Sequence, residues 1–86
     1  MKIPVYVISE VDGGQICITD MAMAAEKIAT SHARANCVTV SVVHTGDERL
    51  KETPRETLFY PDGSYYQGWN DTLFNARGRE IKRGRR

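Results

Sequence analysis

A chain of 86 residues, 41% of them hydrophobic and 27% charged, suits one small domain with a single thin core and leaves little room for a deep substrate cavity. Its net charge of +1 conceals a division. Residues 76–86 carry six of the twelve Lys and Arg and one acid, so this stretch stands at +5 and the other 75 residues at −4. Such asymmetry commonly marks a segment that meets polyanions.

Residues 3–11, with Ile3, Val5, Tyr6, Val7, Ile8 and Val11, are rich in β-branched and aromatic side chains and predict a first strand. Asp12-Gly13-Gly14 is expected to supply positive φ angles for a tight reversal. Ile16 and Ile18, alternating with Gln15 and Cys17, then form a second strand. Thr19 or Asp20 is placed to cap a helix. Met21, Ala24, Ala25, Ile28, Ala29 and His32 recur at helical spacing, giving a mostly alanine stripe that can press closely on a sheet. Glu26, Lys27, Thr30 and Ser31 face outward.

The run from Val38 to Val43 alternates apolar and small polar residues and predicts a half-buried third strand, followed by a charged surface connection from His44 to Pro54. Thr57 to Tyr60 and Ser64 to Trp69 flank Pro61-Asp62-Gly63, whose order of proline, aspartate and glycine predicts a hairpin with a one-residue bulge. Leu73 and Phe74 suggest a further short strand or turn. Beyond them the arginines leave almost nothing to bury except Ile81, so a mobile tail or frayed helix is expected. The predicted architecture is α+β: an antiparallel sheet of about five strands, one helix on one face, a single domain at 1–75 and a basic tail at 76–86. One helix covers one sheet face, so the other must meet water, a second copy or a partner.

Cys17 and Cys37 are too few to scaffold the chain and read as free thiols of a reducing compartment, with a disulfide between neighbouring strands as the alternative. The chain opens directly on a strand-like run, and no stretch approaches the ~18 apolar residues of a membrane span; a cytoplasmic protein without membrane contact is expected. There is no Gly-rich phosphate loop, histidine pair at metal spacing or nucleophile elbow, so no catalytic residue, metal or cofactor is predicted. His32, near a helix C-terminus, reads as a structural histidine.

Six of the seven Phe, Tyr and Trp fall between Phe59 and Phe74. In a hairpin some must be core, and others, among them Tyr60, Tyr65, Tyr66 and Trp69, are candidates for a recognition surface. Glu48, Glu52, Glu56 and Asp62 could steer an acidic body toward a basic groove. Arg77, Arg79, Lys82, Arg83, Arg85 and Arg86 are the candidate nucleic-acid contacts, giving weak, salt-sensitive binding to DNA or RNA without sequence preference.

The segment Tyr60-Pro61-Asp62-Gly63-Ser64-Tyr65-Tyr66-Gln67-Gly68 resembles one hairpin of the MORN repeat, in a single partial copy with Trp69 directly after Gly68. A second resemblance spans residues 2–69. The wording Tyr6-Val7-Ile8-Ser9-Glu10-Val11, Gly14-Gln15-Ile16, Ala25-Glu26-Lys27-Ile28-Ala29, Cys37-Val38-Thr39-Val40 and Leu58-Phe59-Tyr60-Pro61-Asp62-Gly63 resembles small phage-encoded anti-CRISPR proteins that inhibit type I-F surveillance complexes. That resemblance implies a non-enzymatic protein that docks on a host ribonucleoprotein complex and blocks the path of target DNA. It also implies contacts from the exposed helix face. Lys27 keeps a basic residue there, whereas Glu26, Ser31 and Ala33 stand where basic or amide side chains are expected. The alternative function is a nucleic-acid-binding accessory module acting through the tail and the aromatic hairpin, and a homodimer is a further candidate assembly.

Overall fold

The computed structural model describes residues 3–83. β1 (Tyr6–Glu10) and β2 (Gln15–Thr19) form the opening hairpin, α1 (Ala22–Asn36) crosses over, and β3 (Val40–His44) pairs with the other side of β1. One turn of 3-10 helix at Glu48–Leu50 leads into β4 (Arg55–Phe59). A meander of β5 (Tyr65–Gln67), β6 (Thr72–Phe74) and β7 (Glu80–Arg83) completes the sheet. Its order is β2-β1-β3-β4-β5-β6-β7, antiparallel throughout. The α+β class and the single helix hold, but the described residues form seven strands where about five were expected.

The core follows from strand alternation. Ile8, Val40, Val42 and Phe59 point to one face and meet Ala25, Ala29 and Ala33 of α1. These three alanines lie four residues apart, the spacing that stacks side chains along one helix face, and each is almost fully buried. Of the predicted stripe, Ala25 and Ala29 are buried and Ile28 packs against the core, and the buried line runs on to Ala33. Met21 lies outside the helix and is 61% exposed, because α1 begins at Ala22 and its line of closest approach runs through Ala33. The predicted cap also differs: Met21 holds the N-cap position without a side-chain bond, while Thr19 Oγ1 accepts from the Met21 amide at 3.2 Å. A bulge between Ile8 and Ser9 lets both Ile16 and Cys17 pack against the core.

Gly13 and Gly14 do not adopt the positive φ expected of them. Space explains Gly13 instead, since a Cβ there would run into the Glu10 side chain. Positive φ is used at Gly63 and Gly78, the left-handed positions of two similar turns. In the first, the Tyr60 amide donates to the Ser64 carbonyl at 2.9 Å; in the second, the Asn75 amide donates to the Arg79 carbonyl at 2.9 Å. Asn75 Oδ1 also accepts from the amides of Arg77 and Arg79, at 2.9 and 3.0 Å.

This second turn corrects the expectation of a mobile tail or frayed helix beyond Ala76: Glu80–Arg83 pairs with β6 as β7. Turn chemistry and backbone pairing build this strand with little apolar burial. Residues 84–86, including the predicted contacts Arg85 and Arg86, lie outside the described residues.

An α-helix is about 10 Å across, whereas seven strands at about 4.8 Å spacing make a sheet roughly 30 Å wide. α1 accordingly packs over β1 to β4 and leaves β5 to β7 beyond its edge. Two surfaces are left open: a recess beside the helix and the whole opposite face.

Candidate binding surfaces

The recess is a groove of about 660 Å³ between α1, strands β4 and β5, the ends of β1 and β3 at Tyr6 and His44, and the β6–β7 turn. Phe59 and Tyr65 line its floor, and Phe74, next in register, stacks on Tyr65 outside the lining. Phe59, Tyr65 and Phe74 stack across β4, β5 and β6, with centroids 5.6 and 4.9 Å apart and interplanar angles of 28° and 14°. Tyr6 and His44 form a second ring pair at 4.6 Å, also lining the groove. At one mouth the Arg55 guanidinium lies 4.7 Å from the centre of the Trp69 ring, a cation–π contact. Arg34, from the last turn of α1, and Arg77, from the β6–β7 turn, line the groove with it. Glu26 and Glu52 contribute two carboxylates.

The opposite face carries Val7, Ile18, Val43, Leu58, Tyr66 and Leu73, the partners in register between the core-facing rows. No helix or strand of the described residues lies over it. Two polar contacts cross this face: Ser41 Oγ donates to Glu56 Oε2 at 2.6 Å, and the Tyr66 hydroxyl donates to Asp71 Oδ1. The Asp71 carboxylate accepts that proton and repels a phenolate, which raises the Tyr66 pKa above its ordinary 10.0.

The predicted protein-contact residues are spread over several surfaces. Lys27 is exposed on α1. Glu48 and Glu52 sit in the β3–β4 connection, where Glu52 Oε1 accepts from the Asp47 amide at 3.2 Å. Asp62 and Tyr60 lie at the opposite end of β4. Tyr65 and Trp69 belong to the groove, and Glu56 and Tyr66 to the open face. The four predicted acidic contacts therefore form no single patch.

Two aspartates hold turns. The Asp62 carboxylate accepts from the Ser64 hydroxyl at 2.6 Å and the Ser64 amide at 2.9 Å, which lowers its pKa. Asp47 accepts from the Arg49 side chain and amide, with the same effect. His32 Nε2 lies 2.5 Å from Glu10 Oε2, pinning α1 to β1. Cys17 and Cys37 are free, and Cys37 closes α1 in the left-handed conformation.

Among the described residues, Arg77 is the predicted nucleic-acid contact that lines the groove. Arg79 is exposed in the same turn, and Lys82 and Arg83 stand on β7. Sequence reasoning missed Arg34, Arg55 and His44 as neighbours of the aromatic hairpin. They come from three separate elements, and no spacing in the chain announces that they share a groove.

Among the described residues, no helix is long and apolar enough to cross a membrane, and no group of three or more His, Cys, Asp or Glu could hold a metal ion. No protein-family model matches the chain, and no curated protein or solved structure matches it significantly.

Proposed function

We propose that the chain is a small non-enzymatic interaction protein of phage or prophage origin that inhibits a host nucleic-acid-handling complex by docking on it. The resemblance to type I-F anti-CRISPR proteins supplies the sharpest target, a surveillance complex whose access to target DNA is blocked. One observation carries the reading: the sheet face opposite α1 presents Ile18, which is exposed, and Val7, Val43, Leu58, Tyr66 and Leu73, which are half-buried, with no helix or strand of the described residues packed over them.

A hydrogen-bonded sheet holds these side chains in fixed positions, so docking through them orders little that is not already ordered. Tyr66 gives the patch the amphipathic aromatic character that interfaces favour. Glu48, Glu52 and Asp62 lie outside this face. Their role is to steer encounter with a basic groove by long-range attraction, which raises the association rate more than the final affinity. A second copy of the chain is the competing occupant.

The test measures binding of labelled target DNA to a purified type I-F surveillance complex at increasing concentrations of this protein. Wild-type protein is expected to abolish DNA binding, and Leu58→Glu, which places a charge at the centre of the face, to lose that inhibition while keeping its circular dichroism spectrum. Undisturbed DNA binding at saturating wild-type protein overturns the reading. Equal inhibition by L58E moves the contact off this face, and a concentration-dependent dimer that L58E dissolves gives the face to a second copy.

A second reading, a nucleic-acid-binding accessory module, is favoured by a different observation, the arginines beside the aromatic floor.

A further inference from the structure

We infer that the groove between α1, strands β4 and β5 and the β6–β7 turn is a binding site for the nucleotide unit of single-stranded nucleic acid, with a phosphate on Arg34 and Arg77 and a base against Trp69. The site is independent of the docking face on the other side of the sheet, and of its two phosphate arginines Arg34 lies outside the C-terminal charge run and Arg77 within it.

Shape comes first. A groove of about 660 Å³ falls within the range of sites that enclose ligands of nucleotide size. It exists because the helix is narrower than the sheet: α1 forms one wall, the β6–β7 turn the other, and the strands between them the floor. The two hairpin tips and the end of α1 converge there. A Cβ placed on Gly63 would stand 2.8 Å from Ala76 Cβ and 3.1 Å from Arg34 Nη2. The bare glycine therefore leaves Arg34 its place beside the turn that carries Arg77.

Charge is distributed unevenly along the groove. Arg34 and Arg77 mark the end near the hairpin tips. Arg55, Trp69 and Glu52 mark the other, beside the start of β4. Among the described residues none of the three arginines lies within ion-pair distance of a carboxylate, so their guanidinium donors are available to an incoming anion. Guanidinium groups match phosphate oxygens in a planar, two-bond geometry. The carboxylates argue for the opposite arrangement at the other end, where phosphate is disfavoured and a base with N–H donors is welcome.

The floor supplies the remaining term. Trp69, 46% exposed, offers ring surface in the groove beside Tyr65, whose ring is itself stacked between Phe59 and Phe74, with Thr57, Gln67 and His44 as polar neighbours. Stacking on such rings requires a base that is not already stacked and paired, which selects single strands or free nucleotides over duplex.

Trp69 is the chain's single tryptophan and stands at the groove mouth, so its fluorescence reports occupancy directly. The protein is titrated at low salt with a single-stranded oligonucleotide, the matching duplex, a mononucleotide and inorganic phosphate. Saturable quenching by the single strand, about tenfold weaker in Arg34→Ala/Arg77→Ala and little changed in Arg85→Ala/Arg86→Ala, is the expected result. Quenching by the mononucleotide as well identifies a free nucleotide as a sufficient ligand; quenching by the strand alone assigns the site to a polymer. Arg34 and Arg77 are exposed, and an unchanged melting curve for the double variant establishes that it is folded. Three outcomes overturn the inference: no saturable response to any nucleotide ligand, equal affinity for duplex, or a loss that follows Arg85 and Arg86 instead of Arg34 and Arg77. Because L58E leaves the groove intact, failure of the docking reading and failure of this one are separately visible.

Discussion

The β1–β4 half of the molecule and the β5–β7 half solve the same problem in opposite ways. Under α1, five-residue strands bury Ile8, Val40, Val42 and Phe59 against alanines small enough to let helix and sheet approach closely. Beyond it, three- and four-residue strands have no covering element. There the apolar work falls to an aromatic ladder, Phe59–Tyr65–Phe74, and among the strand residues of the meander whose burial is described only Thr72 is buried. One half is a core with a surface, the other a surface held in shape by stacked rings and turns. The open face spans both halves, with Val7, Ile18, Val43 and Leu58 on the first and Tyr66 and Leu73 on the second.

The sharpest way to break this comparison is to damage each half and ask what else fails. Ile8→Ala empties a fully buried site between the helix and the centre of the sheet and is expected to cost about 3 kcal/mol. In a domain of this size that is a large part of total stability, and the loss should appear as a global drop in denaturant midpoint. Phe74→Leu, at the end of the ladder, is expected to cost only about 1 kcal/mol, the stacked ring pair with Tyr65. Its effect should be local: amides of β6 and β7 lose hydrogen-exchange protection while those of β1 and β3 keep theirs. Equal, global effects from both variants would mean that the two halves are one cooperative core.

The smallest effects come from pH. Asp62 has a depressed folded-state pKa, so its contribution to the β4–β5 turn is present above the ordinary aspartate value of 3.8 and is lost as pH falls through the lower folded value. Asp47 behaves likewise in the β3–β4 connection. Tyr66 has the opposite sign: its bond to Asp71 contributes below pH 10.0 and is lost as pH rises through the raised folded value. Amide chemical shifts of Ser64 and Arg49 below pH 4, and the ultraviolet titration of Tyr66 in alkali, check the three. A Tyr66 that ionises at its ordinary value would place its hydroxyl away from Asp71.

Legibility in the sequence followed the same division. The valines of β3 and the Pro61-Asp62-Gly63 turn state their structure locally, and strand and hairpin formed where they were expected. The helix and most of its buried line, Ala25, Ile28 and Ala29, were visible, but the ends of that line were not, because Met21 and Ala33 fit the period equally and only the start of α1 at Ala22 decides between them. β7 was missed for an instructive reason. Its charges read as a solvated tail, although Asn75 and Gly78 carry turn chemistry of the same sort that marked the preceding hairpin. The recess was out of reach of pattern reading, since Arg34, Arg55 and Arg77 meet only after the sheet has outgrown its helix.

The measurement that bears most directly on the account is hydroxyl-radical footprinting of the protein free and bound to a surveillance complex, read side chain by side chain. The account predicts protection of Ile18, Leu58, Tyr66 and Leu73, with Met23 on the far side of α1 oxidised as in the free protein. Protection of Met23 and the outer helix, with the four open-face side chains still reactive, would contradict it.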